Sequence, residues 1–389
     1  MISSNRNRFA LLLVTAVGIA TPLNAQGDSA TANYVVSAET RSGMAAGSFD
    51  GSAAFGLALE LGSTGKEAQP EAKHYVPQGL GLGASVPLAA PEASGRGARS
   101  SHTGARQKAT GKMRVYWGCG ENSAAGQSRE VDFATIGRGG APSGLQVKLP
   151  LELSARGLPG YAEWPNARDA RDLQGRASLV GSHRVEANFA PGFSFDLASA
   201  QDFMAPLAAT PSQEGNATRI DWQGVDRATG YFLSAIGTAR DGTVIMWSSS
   251  DVAIQDSLFG QYLPSAEVAR LVAARAVLPA SVRTCTIPAE VTSAMETPML
   301  MMTAFADDAE IAQSKPAGAS SAWKPQWSVK LRYRSDTMLM LGEAGIAMSG
   351  MMASQSTDED IDRPATPARD KSRKKRGLVG AIADELIGN

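Results

Sequence analysis

The sequence predicts an all-β protein: two β-sandwich domains with one inserted helix, flanked by disordered N- and C-terminal segments. Three observations carry this. Apolar and polar residues alternate in short runs from residue 113 onward, as in strands with one buried and one wetted face. Glycine and proline number 40 and 20 of 389 residues, slightly above the ordinary share, which favours many turns. Within the core region the best helical spacing is confined to residues 265–276. The length fits about two domains of ~150 residues each. Hydrophobic residues at 43 % suffice to build cores, and charged residues at 19 % fall below the ~25 % usual in soluble domains. A net charge of −1 excludes a generally basic nucleic-acid binder, and the composition excludes collagen, coiled coil and a polytopic membrane protein.

Residues 1–25 have the layout of a secretory signal peptide. Arg6 and Arg8 precede an apolar core from Phe9 to Ala20, and Ala25 supplies a small residue at the cut. The apolar run is shorter than the ~20 residues of a spanning helix, and no cysteine follows it to carry a lipid. The expected location is therefore periplasmic or secreted. Residues 26–112 read as a low-complexity segment and linker. Residues 26–55 carry few large apolar side chains and are expected to be mostly disordered. Short apolar patches follow at 56–61 and 73–89, and 91–112 is a basic linker containing His102.

Residues 113–208 read as a β-sandwich or jelly-roll-like domain. Met113, Val115 and Trp117 alternate with Arg114 and Tyr116, and Leu145 to Leu153 alternate through LQVKLPLEL. Val185, Ala187 and Phe189 form a third run, and Phe193, Phe195 and Leu197 a fourth. Residues 209–217 form a second boundary. Beyond it, Ile220 and Trp222, then Tyr231, Leu233 and Ala235, then Val244 to Trp247 give successive strands, with Asp241-Gly242 as a hairpin signal.

Trp222, the VDRATGY turn and the strand through Leu233 resemble the corresponding region of a fibronectin type III-like module at about 210–336. The resemblance implies that Met299 to Phe305 and Trp327 to Arg334 are the last two strands and that Trp222 is buried. In the final strand Trp327, Val329, Leu331 and Tyr333 alternate with Ser328, Lys330, Arg332 and Arg334. Residues 252–296 exceed what one strand and its turns need. They hold the helix, with Ser265 as its N-cap, Val268, Leu271, Val272 and Ala276 on one face and Pro279 as its stop. Taken whole, 110–336 also resembles a group of secreted proteins of Gram-negative bacteria to which no activity is attached.

The chemistry-bearing residues are sparse. Cys119 and Cys285 are 166 residues apart. In an oxidising compartment an even count permits one bridge, expected here to tie the two domains together, with two buried free thiols as the alternative. His74, His102 and His183 show no zinc-binding spacing; His183 is expected at a strand edge, and no metal site or cofactor is expected. No G-x-S-x-G occurs. The S-x-x-K pairs at Ser63–Lys66 and Ser321–Lys324 lack companion motifs, and Gly62 to Lys66 fails the phosphate-loop pattern. Asp169 and Asp172, interleaved with Arg168 and Arg171, read as a solvated ion-pair turn, so no catalytic residue is assigned. Of the six tryptophans, Trp164, beside Tyr161 in a loop, is the best candidate for an exposed one, and the two together are the expected ligand contact.

Nine of the 14 methionines lie between residues 295 and 352, including Met299, Met301, Met338 and Met340. Thioethers suit copper(I), although methionine is also a flexible gap filler. Residues 337–389 read as a Met/Gly-rich and basic disordered tail. Arg373, Lys374, Lys375 and Arg376 precede a short amphipathic helix presenting Leu378, Ile382 and Leu386, a pattern suited to an anionic membrane surface or a partner. The expected function is an exported, non-enzymatic role in binding or assembly in the cell envelope, with an envelope protein or glycan as partner and no nucleic acid. The alternatives are an envelope hydrolase with loop-borne residues, or copper(I) handling through methionine.

Overall fold

The strand that organises the fold lies in a segment almost devoid of large aliphatic side chains. The computed structural model describes residues 31–47, 52–91, 111–132, 144–147, 155–173, 175–254 and 257–342. The first nine strands are β1 (Ala32–Gly43), β2 (Ala54–Ser63), β3 (Glu71–Tyr75), β4 (Ser85–Ala89), β5 (Lys112–Trp117), β6 (Arg129–Asp132), β7 (Gly160–Trp164), β8 (Gly181–Ala187) and β9 (Phe193–Leu197). Then come β10 (Ala209–Glu214), β11 (Ala217–Trp222), β12 (Ala228–Thr238), β13 (Val244–Ser248), β14 (Leu278–Pro279), β15 (Thr284–Ile287), β16 (Met299–Ala306), β17 (Ala309–Ala312) and β18 (Trp327–Met340). Helices α1 (Ser265–Ala273) and α2 (Ala289–Ala294) interrupt the later strands.

The chain is all-β, and its described residues form two sheets. The larger runs β6-β5-β13-β12-β16-β18-β1-β2-β7-β4-β3-β8-β9, with β14 on β12 and β17 on β18; the smaller is β10-β11-β15. The small sheet packs on β13-β12-β16-β18 as one sandwich. Trp222 of β11 meets Tyr231 of β12 edge-on at 5.5 Å, and Ile220, Leu233, Trp247, Leu300 and Met302 share the same core. The Tyr231 hydroxyl accepts from the Val225 amide at 2.9 Å and so fixes the turn between the two sheets. Beyond β1 the sheet curls until β9 returns over its start. Phe193 lies 5.7 Å from Tyr34 of β1 and stacks on Trp327 of β18 at 5.3 Å.

The joint is β1, which pairs in parallel with β18 over twelve registered positions and antiparallel with β2. Its inward residues are Ala32, Tyr34, Val36, Ala38, Thr40 and Ser42, all buried. The polar ones are satisfied by the segment that follows β9: Thr40 donates to the Met204 carbonyl at 2.7 Å and Ser42 to the Leu207 carbonyl at 2.5 Å, and Ser335 of the neighbouring β18 donates to the Ala205 carbonyl at 2.9 Å. A buried hydroxyl without such a partner would cost about 1–3 kcal/mol.

Several expectations need correction. Residues 26–55 are not wholly unstructured, because β1 occupies 32–43. The apolar patches at 56–61 and 73–89 belong to β2, β3 and β4, so the 26–112 segment contributes strands to the main sheet rather than only a linker. Strands do not sort at residue 208: β5 pairs with β13, and β1 with β18. The boundary at 209–217 contains β10, an edge strand whose side chains are mostly exposed and so lack an apolar signal. Residues 337–340 finish β18 instead of starting a tail. Helix α1 is capped by Pro264, while the Ser265 hydroxyl bonds the Asp308 carboxylate. Of the 145–153 run only 145–147 is described, and Leu145 makes a lone bridge to Ile254. The signal-peptide segment 1–25, His102 and the tail from 343 lie outside the described residues.

Trp222 is buried to 5 % exposure on the smaller sheet. Trp222→Ala should cost about 3–5 kcal/mol, read from urea unfolding monitored by circular dichroism. A loss below 1 kcal/mol would show that Tyr231 and its neighbours do not depend on it.

Candidate functional site

On the outer face of the β1–β18 ladder, parallel pairing sets three rows of side chains against each other: Ser37 with Arg332, Glu39 with Arg334, and Arg41 with Asp336. Arg332 donates to the Ser37 hydroxyl at 2.6 Å. Arg334 is paired with the Glu39 carboxylate and, at 2.8 Å, with Asp336. Arg41 lies 3.2 Å from Glu39, and the Thr303 hydroxyl of β16 donates to Asp336 at 2.7 Å. The Tyr262 ring roofs this floor, 4.2 Å from the Arg334 guanidinium and 4.9 Å from that of Arg332. Burial pushes the Asp336 carboxyl and the Tyr262 hydroxyl up and the Arg332 guanidinium down.

Gly56 of β2 sits directly opposite Glu39, and a β-carbon there would collide with the Glu39 side chain. The missing side chain is what lets the carboxylate lie flat across the neighbouring strand. One strand further, Glu60 faces Glu163 of β7, two like charges in one register. Arg156 resolves the conflict: it binds Glu163 at 2.7 Å and approaches Glu60 at 4.0 Å, while Tyr161 donates to Glu163 at 2.6 Å.

A cleft of about 330 Å³ opens beside these rows, bounded by Glu39, Arg41, Arg334, Tyr262, Phe55 and the 170–173 loop. The loop is held in place from beneath. Asn166 donates to the Pro87 and Glu163 carbonyls, both at 2.8 Å, and Arg171 donates to the Leu82 carbonyl at 2.6 Å and to Asp169 at 2.8 Å. The hydrogen bonds from Arg171 hold the Asp169 carboxyl below its usual range. Rim and floor are therefore set before any ligand arrives.

Tyr161 and Trp164 are not the exposed loop pair expected from the sequence. Both lie on β7 and are buried, at 8 % and 2 % exposure. The period-two pattern of GYAEW puts Ala162 and Trp164 on the core side and Tyr161 and Glu163 on the outer, charged side. Trp164 still borders the cleft. Asp169 and Arg171 do form an ion pair, as the turn reading expected.

Cys119 and Cys285 are brought to bonding distance, with sulfurs 2.12 Å and Cα atoms 5.2 Å apart. The link does not tie two separate domains. Cys119 follows β5, which pairs with β13 of the larger sheet, and Cys285 lies on β15 of the smaller one, so the bridge joins the two sheets of one sandwich. In the chain-entropy account so long a loop contributes about 5 kcal/mol.

Sequence reasoning also missed a chain of hydrogen bonds inside the curled part of the sheet. The Tyr34 hydroxyl meets His74 Nδ1 at 2.8 Å, His74 Nε2 meets His183 Nδ1 at 3.0 Å, and His183 Nε2 meets the Leu179 carbonyl at 2.7 Å. The carbonyl can only accept, so His183 Nε2 carries a proton and its Nδ1 accepts from His74 Nε2 when both rings are neutral. His74 Nδ1 then accepts from Tyr34. The available signal was weak: Ala72, His74 and Val76, and His183 and Val185, occupy the inward positions of β3 and its extension and of β8. His183 is thus buried rather than at an exposed strand edge, and it stacks on Phe195 at 4.9 Å.

No family model matches the chain, and no curated protein matches it. Among the described residues no helix is long and apolar enough to cross a membrane. The tail residues Arg373, Lys374, Lys375, Arg376, Leu378, Ile382 and Leu386 lie outside the described residues.

Burial lowers both imidazoles from the ordinary value of 6.5, and the His183 charge lowers His74 further. In the unfolded chain both rings take up protons near that value while the folded chain resists. Stability is therefore full above about pH 6.5 and should fall below it, by up to about 1.4 kcal/mol per pH unit for each histidine. Urea unfolding between pH 8 and pH 5 should show this loss, and the triple variant Tyr34→Phe, His74→Leu, His183→Leu should flatten it. An equally steep profile in that variant would place the acid sensitivity elsewhere.

Proposed function

We propose that this chain is an exported, non-enzymatic protein of the bacterial cell envelope that binds a glycan in the cleft beside Glu39 and Arg41. The observation that carries the reading is the preformed cleft, in which aromatic side chains stand next to a few fixed charges. Its volume of about 330 Å³ is at the small end of ligand sites, the size of one or two sugar rings. Phe55 and Tyr262 offer apolar surface to a ring face, and Arg41, with 39 % of its side chain exposed, can bond vicinal hydroxyls alongside Glu39.

Other features support parts of the reading. The three-stranded sheet packed on β13-β12-β16-β18, four strands of the larger sheet, around Trp222 and Tyr231 fits a fibronectin type III-like module, an architecture common in extracellular binding proteins. The Cys119–Cys285 pair fits an oxidising compartment. The basic stretch 373–376 and the apolar Leu378, Ile382 and Leu386 fit a second contact, with an anionic membrane surface.

Titration calorimetry of the full chain with peptidoglycan fragments should give saturable binding. Arg41→Gln removes one charge-assisted hydrogen bond and should weaken it about 10- to 100-fold, the equivalent of about 1.5–3 kcal/mol. Gly56→Ala should weaken it as well, by displacing Glu39. Unchanged affinity in both variants would place binding elsewhere, and cleavage of the fragments during the titration would favour a hydrolase instead. Sedimentation with anionic vesicles at low salt tests the second contact: removing residues 363–389 should abolish it, and equal sedimentation of both forms would reject it.

A further inference from the structure

Above the charged rows, the same outer face changes character. Antiparallel pairing of β16 with β18 sets Met299 opposite Met340 and Met301 opposite Met338, a block of four thioethers on adjacent strands. Across β12, Met246 of β13 lies in the Met299 row, opposite Ile236. Met301 is buried in a cluster with Ile236 and Phe259, and Met246, Met299 and Met338 pack on that cluster while remaining partly open to solvent. An outer sheet face normally carries polar residues. Here neutral, polarizable sulfur occupies four adjoining positions, with directly opposed residues about 4.5–5.5 Å apart at their β-carbons.

That spacing lets flexible methionine side chains converge on one point. Thioethers are soft donors that select copper(I) over hard cations such as magnesium or calcium. They are neutral, so they leave the metal's single positive charge uncompensated. The next row on the same face holds Asp336 beside Thr303, about 7 Å further along the strand, where Asp336 is already paired with Arg334 and leaves the thioethers as the donors. Met302, one residue from Met301, points to the opposite face and joins the sandwich core.

We propose that Met299, Met301 and Met338, with Met340 beside them, form a surface site for one copper(I) ion. The full chain should bind one equivalent of copper(I) under anaerobic, reducing conditions, measured by competition with a chromophoric copper(I) chelator, and one equivalent of silver(I) as the redox-inert probe. Replacing all four residues by leucine conserves volume and should lower the affinity at least 100-fold; Met302→Leu should leave it unchanged. With methionine methyl groups carrying carbon-13, silver(I) should shift the Met299, Met301 and Met338 signals of the unaltered protein, which decides the question even if the fourfold variant does not fold. Failure of the protein to retain copper(I), undiminished binding by the leucine variant, or shifts confined to Met348, Met351 and Met352 would each overturn the proposal.

Discussion

The parallel ladder between β1 and β18 is the constraint on which the rest of the molecule depends. Every other long pairing in the larger sheet joins segments that lie on one side or the other of this joint. β1 is paired along both edges and buried on its inward face, so its position leaves no freedom of register. A slip by one residue would carry Tyr34 and Val36 to the outer face and drive Glu39 and Arg41 into the core. The charged rows and the core packing enforce the same alignment independently.

The outer face shows what a fixed register makes available. Four guanidinium groups, of Arg41, Arg156, Arg332 and Arg334, stand among four carboxylates, of Glu39, Glu60, Glu163 and Asp336. Isolated surface pairs contribute little, but a network on paired strands loses less side-chain entropy because each group is already held by its neighbours. The result is a stiff polar floor. The methionine block on the same face is its opposite in chemistry, compliant and uncharged, and the change between them occurs within two residues, from Asp336 to Met338.

Legibility in the sequence followed the chemistry of each strand's two faces. β8, β9, β11 and β18 alternate apolar with polar residues, and period-two reasoning located them; β16, buried on both faces, shows no such alternation and is expected only through the resemblance to a fibronectin type III-like module. β1 escaped because its inward set, Ala32, Ala38, Thr40 and Ser42 among them, is small or hydroxylated and counts as low complexity. β10 escaped because an exposed edge strand buries too little to leave a pattern. The site residues were harder still. Ser37 with Arg332, and His74 with His183, are 295 and 109 residues apart, and nothing local specifies which strands become neighbours. Trp164 reads as a loop residue because Pro165 and Asn166 follow it; the turn begins only after the tryptophan has been placed on its strand.

The first strand of this fold finds its parallel partner only near the last described residues. β1 is made early, and the residues that pair with it are 295 positions further on. At ~5–20 residues per second, roughly 15–60 s of synthesis separate the two. Throughout that interval one edge of β1 is an unpaired row of amides and carbonyls, and any chain ended before Trp327 keeps it open permanently. A copy that stops before β18 thus displays a sticky edge that chaperones and proteases can recognise, and a chain that includes β18 conceals it.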